Sequence, residues 1–501
     1  MRPEAFPENI QPYLVPKPTG RLMYRCLDCQ ATFDIKELLY TCPDCGQVLL
    51  IDDTDPDRLK HVSGQTWRRI FDYRKMLTLP ALKGIYRYHE FLGSILPLDA
   101  IVYLGEGHTP VVEASGPLQQ RAGAAFYFKN DGQNPSASFK DRGMASALSY
   151  INYLIQEGTV SDILAVCAST GDTSAAAALY SAYLSPKVKS AVLLPHKKVT
   201  PQQLAQPLGN GAAVFEIPGV FDDCMKVVEA LSGSYPVALL NSKNAWRILG
   251  QESYSFEIAQ DFEYDLTGKV IVVPIGNAGN ITAVMRGFIK FYQAGIIATL
   301  PKIVGVQSNH ADPVYRYYQE PDPARRQFEP VTVQPSVAQA AMIGNPVSMP
   351  RVAHLVERYN TLAGQPHVFF VRVTEQQIMD WHLKANQHGH IACTHGGECL
   401  AGLREACRLK YVSEDDVAVL DATAHPIKFS GFQNMYFERS FPDAYEVSPD
   451  QRLINHPILV QPEGPVPTEG KPLSETELPR FVATVSEFIA NALKLHRKSA
   501  S

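Results

Sequence analysis

Neither sign of charge dominates this 501-residue chain: 46 Lys and Arg stand against 51 Asp and Glu, a formal net charge of -5. That field is too weak to argue for nucleic acid or an anionic membrane surface as a partner, so any anion must be gripped locally. No stretch reaches the ~18 uninterrupted apolar residues of a membrane-crossing helix. Residues 1–20 hold Pro3, Pro7, Pro12, Pro16 and Pro18 with Glu4 and Glu8 in place of the apolar run of a secretory signal, and a cytoplasmic protein is expected. Cysteine is scarce, and of nine residues four fall in two tight pairs while Cys167, Cys224, Cys393, Cys399 and Cys407 are scattered. Such a pattern suits reduced thiols better than a disulfide framework. There is no internal repeat or low-complexity tract. What remains is ordinary globular composition, 45% hydrophobic and 19% charged, in a chain long enough for at least two domains and a deep site.

The first unit, Arg21 to about Pro56, is built on Cys26-Leu-Asp-Cys29 and Cys42-Pro-Asp-Cys45 with twelve residues between the pairs. Two such knuckles supply four thiolates to a tetrahedral Zn²⁺, with Gly46 where the second knuckle needs a permissive backbone. Redox-active pairs or a relic without metal are the alternatives. Four cysteines leave no open ligand position, so a metal here is expected to be structural and remote from chemistry. Residues 1–60 are therefore read as an extension with a zinc-ribbon-like module, 61–480 as the catalytic region, and 481–501 as a C-terminal helix and tail. From about Thr66 to Leu96 the pattern is helical and aromatic. Beyond Ile101, runs such as Ile163–Cys167, Val270–Val273 and Val417–Leu420 read as buried parallel strands. Met144, Ala147, Leu148, Ile151, Leu154 and Ile155 trace one helical face, and Ile281, Val284, Met285, Phe288 and Ile289 another. Strand, polar turn and helix in alternation predict a doubly wound α/β fold, whose ligands bind beyond the carboxyl ends of the strands. Asp312 to Pro335, with Pro313, Pro321, Pro323 and Pro330, is expected to be an exposed excursion. Gln461 to Pro472 reads as a connector to an amphipathic helix marked by Phe481, Val485, Phe488, Ile489 and Leu493.

Four segments carry chemistry. Asn134 to Gly143 places Lys140 in a turn of small polar residues, and an amine attacks an aldehyde only when unprotonated, a state that burial beside Phe139 and Met144 favours. Alone, such a lysine is more often a solvated surface charge. Pro274 to Asn280 opens a helix after a buried strand and offers amides to an anion, or merely reverses the chain. Ala168 to Thr173 does the same after Cys167, with an N-cap as its bland reading. Thr423 follows a third strand, and a hydroxyl there meets an unprotonated pyridine nitrogen, whereas a carboxylate would keep that nitrogen protonated. Together the four answer the atoms of pyridoxal phosphate (PLP) and point to elimination and replacement chemistry.

Gly105 to Pro110, the Lys140 motif through Arg142, Ala168 to Thr173, Asn241 to Arg247, Gly276 to Asn280, Ile343 to Pro346 and Ala422 to His425 occur in the order found in threonine synthases, which the chain resembles from about Tyr103 to Phe429. The resemblance implies PLP fold type II, two doubly wound lobes with the smaller, about 145–255, nested in the larger. It implies that Lys140 is the Schiff-base lysine, that Asp172 faces the phenolic oxygen, that Gly276, Asn277, Ala278, Gly279 and Asn280 hold the phosphate, and that Thr423 meets the ring nitrogen. It further implies O-phospho-L-homoserine as substrate, bound by Ser169, Thr173, Asn241 and Arg247, in a homodimer. Glu106 and Thr109 are expected at the entrance. Asp172 departs from the Asn of many relatives, and a carboxylate beside a phenolate repels it unless a proton is shared. The zinc ribbon is absent from many relatives. Cys393 to Cys399 also departs from the family pattern, and reads as a second metal site or, better, as a packed helix start. Rival readings are cysteate synthase, threonine dehydratase, and a non-catalytic protein that kept the fold. For Arg247 the alternative is an ion pair with Glu252.

Overall fold

In the computed structural model, residues 1–169, 171–196, 201–219 and 221–498 are described; Thr170, within the Ala168 to Thr173 segment, and residues 499–501 of the tail lie outside them. The two cysteine knuckles fold alike. A left-handed residue follows each, Gln30 after Cys29 and Gly46 after Cys45, and turns the chain so that Cys26 N donates to Ala31 O (2.9 Å) and Cys42 N to Gln47 O (2.7 Å). Strands β1 (Leu22–Cys26), β2 (Thr32–Asp34) and β3 (Leu49–Asp53) flank them in an antiparallel sheet ordered β2-β1-β3.

Helix α1 (Gly64–Arg74) starts on Ser63, whose hydroxyl accepts from Thr66 N. Its Trp67 and Phe71 pack on Phe91, and Phe71 also on Tyr88 and Phe291. The rest of the aromatic segment is helical only in short pieces, such as His89–Leu92, because Pro80, Gly84 and Gly93 interrupt it.

Next come β4 (Val111–Glu113), β5 (Ala125–Lys129), α2 (Lys140–Gln156), β6 (Ile163–Ala168), α3 (Asp172–Tyr183), β7 (Val188–Pro195), β8 (Ala213–Ile217) and β9 (Val237–Leu239). The chain continues through α4 (Ala245–Gln251), α5 (Ser253–Asp261), β10 (Lys269–Pro274), α6 (Gly279–Gln293), β11 (Lys302–Ser308), α7 (Met349–Ala363), β12 (Val368–Val373), α8 (Glu375–Gln387), α9 (Thr394–Arg408) and β13 (Val417–Asp421). Two sheets result, β12-β11-β10-β13-β5-β4 and β8-β7-β6-β9. Every pairing in them is parallel except β4 with β5. The chain leaves the larger sheet after β5 and returns at β10, so the smaller one is nested within it. The three apolar runs singled out in the sequence are β6, β10 and β13. Val270 to Val273 are wholly buried, as a parallel strand covered on both faces requires.

These three strands deliver three loops to their carboxyl ends: 169–173, 276–280 and 422–425. The proline-rich excursion forms a short helix, Pro313–Gln319, before running largely exposed to residue 335. Residues from Ile454 onward form a separate compact unit that contains α10 (Leu478–Ala492). No described helix is long and apolar enough to cross a membrane.

Candidate active site

Lys140 opens α2, and the turn before it is fastened to the segment after β13. Phe139 N donates to Thr423 O (2.8 Å) and His425 N to Ala137 O (3.0 Å), with Ala137 in the left-handed region at φ 64°. A Cβ on Gly132 would lie 2.4 Å from His425 N, so only glycine lets the two segments close. The Lys140 ammonium position lies over the Phe139 ring at 4.0 Å. Burial, then the positive charge of Arg247, push the Lys140 pKa down to about 7, while Asp172, Asp421 and Cys167 oppose them. A large neutral fraction at ordinary pH is the condition for a nucleophilic amine.

Two residues on, Arg142 anchors the helix. Its guanidinium donates to both carboxylate oxygens of Asp131 (2.8 and 2.7 Å) and of Glu257 (2.5 and 2.8 Å). Lys129 reaches Glu257 at 3.0 Å, and Thr109 Oγ1 donates to Asp131 (2.6 Å). Burial alone would raise the Glu257 carboxyl, but the charges of Arg142 and Lys129 hold it well below its usual range. Thr109 thus belongs to this buried lattice, not to an entrance. Glu106 is also buried, accepting from Tyr180 OH (2.9 Å) and Leu104 N (3.0 Å), and burial pushes its carboxyl up to about 8.

Arg247, on α4, is only 3% exposed. Its Nη1 donates to Leu240 O (3.0 Å), its Nε has no partner, and among the described residues no carboxylate pairs with it. Burial lowers its pKa to about 10. The expected alternative partner, Glu252, is engaged elsewhere, with Lys290 at 2.5 Å and Arg286 at 3.1 Å. Helix α4 can press against α2 because Gly250 and Gly143 carry no side chain: a Cβ on Gly250 would lie 2.3 Å from Arg142 O. The result is a desolvated, unpaired cation whose charge is felt at Lys140.

Gly276 to Asn280 lead from β10 into α6, with Ala278 left-handed at φ 60° and no side chain capping the helix. Among the described residues the amides of Gly276, Asn277 and Ala278 donate to no backbone acceptor. A Cβ on Gly276 would lie 2.9 Å from Ala341 Cα and one on Gly279 3.1 Å from Ile248 Cδ1. Asn280 Nδ2 donates to Asp421 (2.7 Å), which burial, then Asp131, raise well above the usual carboxylate range. Thr423 is buried, its hydroxyl 3.9 Å from Cys393 Sγ.

Asp172 begins α3 and is 6% exposed; Lys428 Nζ lies 2.8 Å from its Oδ1 and also donates to Ser136 O (3.0 Å). Sequence reasoning missed Lys428, although it stands five residues after Thr423 in the same short segment. Asn241 spends its amide on Ala168, accepting from its N (3.0 Å) and donating to its O (2.6 Å), so it positions the 169–173 turn. Ser169 Oγ accepts from Gly171 N (3.3 Å), and Thr173 is half-buried on α3. The charges of Arg247, Asp172 and Asp421 are thus felt at Lys140, Thr423 is hydrogen-bonded through its carbonyl to Phe139, the residue before that lysine, and Asn280 joins the cradle to Asp421.

Far from these loops in sequence, the sulfurs of Cys26, Cys29, Cys42 and Cys45 all lie within 4.8 Å of one another, with Cys26 to Cys45 at 3.4 Å and Cys29 to Cys42 at 3.6 Å. Zn–S bonds of about 2.3 Å put tetrahedral sulfurs about 3.8 Å apart. Among the described residues this is the one cluster with metal-binding geometry; Cys393, His395 and Cys399 are packed at the start of α9.

A family model described as pyridoxal-phosphate dependent enzyme matches residues 102–422. Threonine synthase of Methanocaldococcus jannaschii is 33% identical over 408 residues, covering 81% of this chain and 93% of the relative. The chain belongs to the threonine synthase family of pyridoxal-phosphate dependent enzymes. Threonine synthase 2, chloroplastic, of Arabidopsis thaliana is 31% identical over 438 residues, 86% of this chain and 80% of that one. Among solved structures, threonine synthase from Escherichia coli superposes with a TM-score of 0.60 at 18% identity, over 82% of this chain and 90% of that one, and so shares the fold.

The residues present fit the family's cofactor. A lysine with a depressed pKa, a turn whose amides donate to no backbone acceptor among the described residues, and a buried hydroxyl at a strand end have the chemistry that an aldehyde, a phosphate and a ring nitrogen call for.

Proposed function

We infer that this chain is a threonine synthase, converting O-phospho-L-homoserine and water to L-threonine and phosphate. The observation that carries the substrate is Arg247: a buried guanidinium without a carboxylate among the described residues, on a helix packed against the one that bears Lys140. A desolvated unpaired cation is costly, and a phosphorylated substrate offsets that cost, whereas a dehydratase acting on a hydroxyl brings no dianion.

When bound, PLP supplies the electron sink for charge at the substrate α-carbon. Lys140 would hold it through Nζ, Gly276, Asn277, Ala278, Gly279 and Asn280 would hold its phosphate, Thr423 its ring nitrogen, and Asp172, neutralised by Lys428, would face its phenolic oxygen. Lys140 Nζ takes protons from Cα and Cβ and delivers protons to Cγ once phosphate has left and to Cα once the water oxygen has joined Cβ, the water's spare proton leaving with phosphate, since a neutral amine beside the reacting carbons serves as general base and then acid. Arg247 grips the substrate phosphate through two parallel N–H bonds and stays with the charge as the Cγ–O bond breaks. Ser169 and Thr173 line the substrate, and Asn241 sets their loop. The four knuckle cysteines hold a structural Zn²⁺, and the enzyme works as a homodimer.

The deciding experiment compares steady-state turnover of O-phospho-L-homoserine, of phosphoserine with sulfite, and of threonine. Threonine formation from phosphohomoserine at a kcat/KM far above the other two is expected. Preference for phosphoserine with sulfite, or for threonine, would reassign the chain to cysteate synthase or dehydratase chemistry.

A further inference from the structure

The ribbon is packed against the helices that form the site. Tyr150 OH, on α2, donates to Ile35 O (2.6 Å), and the Tyr150 ring stacks on Trp246 at 4.2 Å. Trp246 Nε1, on α4, donates to Tyr24 OH of β1 (3.1 Å). Leu50 of β3 packs with Ile248 of α4 and Ala283 of α6, and Arg286 of α6 donates to Ile51 O (2.6 Å). The helices carrying Lys140, Arg247 and the anion cradle therefore all lean on one small sheet.

Arg351 completes the connection. It is fully buried and, among the described residues, pairs with no carboxylate. Its guanidinium donates to Leu49 O (3.1 and 2.6 Å), to Ser242 O (3.2 Å), to Lys243 O (3.1 Å) and to Ser348 Oγ (3.0 Å). Ser348 N in turn donates to Asn277 O (3.1 Å). One side chain thus fastens the ribbon to the loop between Asn241 and α4 and to the cradle. Leu49 begins the strand leaving the second knuckle, closed by Cys42 N on Gln47 O (2.7 Å), so its carbonyl is placed by the fold of that knuckle. Helix α4 has seven residues, too few to persist without tertiary support.

We propose that the Cys26, Cys29, Cys42, Cys45 module is a metal-dependent buttress for the substrate-phosphate site: the metal holds Tyr24, Leu49 and Leu50 in place, and these hold Arg247 and the 241–244 loop. This rests on the reading that Arg247 receives the phosphate. Losing the metal loosens that site and leaves PLP on Lys140. Because coupling between sites is reciprocal, phosphate in the site also tightens metal binding by the same factor.

The test uses the full-length, PLP-loaded protein and inorganic phosphate as probe. Phosphate inhibition, KM and kcat for phosphohomoserine and the absorbance of Lys140-bound PLP are measured in four proteins: untreated, metal-depleted, zinc-restored and Leu50→Ala. Metal depletion is expected to weaken phosphate and raise KM by about tenfold, within the usual range of coupling between sites, with kcat and absorbance little changed and full recovery on adding zinc. Leu50→Ala, which keeps all four ligands, shifts both constants in the same direction, and phosphate slows chelation of the metal. Phosphate inhibition that is unchanged by metal loss, or unchanged in Leu50→Ala should depletion unfold the protein, overturns the buttress. Arg247→Lys separates the two claims: if it weakens phosphate while the ribbon perturbations do not, the buttress alone fails, and if it too has no effect, the phosphate site fails with it.

Discussion

Replacing Arg247 with lysine keeps the charge and removes the fork. The arginine has five N–H donors, of which Nη1 is engaged with Leu240 O at 3.0 Å and Nε is unpartnered. A substrate phosphate can therefore take two parallel bonds while the Leu240 bond persists. A lysine ammonium reaching the same phosphate makes one good contact and leaves Leu240 O without its donor. The difference is one charge-assisted hydrogen bond, about 2–3 kcal/mol in a desolvated setting, or roughly 30- to 150-fold in kcat/KM for phosphohomoserine. No ion pair is lost, since Glu252 belongs to Arg286 and Lys290, so the melting temperature and PLP occupancy are expected to stay close to wild type. Steady-state kinetics, PLP absorbance and thermal melts on the purified variant provide the test. Unchanged kinetics would remove Arg247 from the substrate site. A large drop in melting temperature with proportional loss of PLP would show that the side chain holds the fold.

Lys140→Ala is expected to abolish turnover and the absorbance of the attached cofactor; borohydride trapping and peptide mapping that labels another lysine would refute the assignment. Since burial and Arg247 bring the Lys140 pKa to about 7, the amine is protonated below that pH, and the rate of PLP uptake by the apoenzyme should rise as pH passes upward through it. A flat rate between pH 6 and 8 would contradict the depressed pKa. Metal analysis should find one zinc per chain in wild type and none in Cys42→Ser/Cys45→Ser, with a destabilised ribbon, because such binding contributes about 10–16 kcal/mol to the folding of small modules. Equal metal in the two proteins would defeat the claim.

Local signals carried most of the fold. Ile163 and Val417 open strands, and Val270 is second in its own, because short apolar runs between polar turns have few alternatives in an α/β chain, and the cysteine knuckles announce themselves by spacing. Contacts between distant segments were hidden. Nearness in sequence offers Glu252 as the alternative partner of Arg247, but its real partners lie on α6, and only packing reveals that. Thr109 and Glu106 stood in a motif shared with the family, and nothing local told that Arg142 and Tyr180 would draw them inward. The ribbon read as a remote appendage because its contacts, such as Leu49 with Arg351, join residues some three hundred positions apart. Lys428 escaped notice because a lysine after a proline turn has no signature of its own.

That lysine resolves the difficulty raised by Asp172, whose carboxylate would repel a phenolic oxygen facing it. Lys428 Nζ sits 2.8 Å from Asp172 Oδ1, with side chains only 17% and 6% exposed, and the start of α3 adds its own positive end. The pair joins the nested lobe to the segment after β13, so it contributes to closure of the fold as well as to charge balance. Lys428→Met leaves a buried carboxylate alone, at a cost of about 3 kcal/mol, the low end for a broken buried pair. Adding Asp172→Asn removes the stranded charge, and the double variant should regain most of the lost melting temperature. Thermal melts of the four members of this cycle at pH 7.5 measure the coupling directly. If Lys428→Met and Lys428→Met/Asp172→Asn melt alike at pH 7.5, some other group balances Asp172, and Lys428 is not the cation that neutralises it.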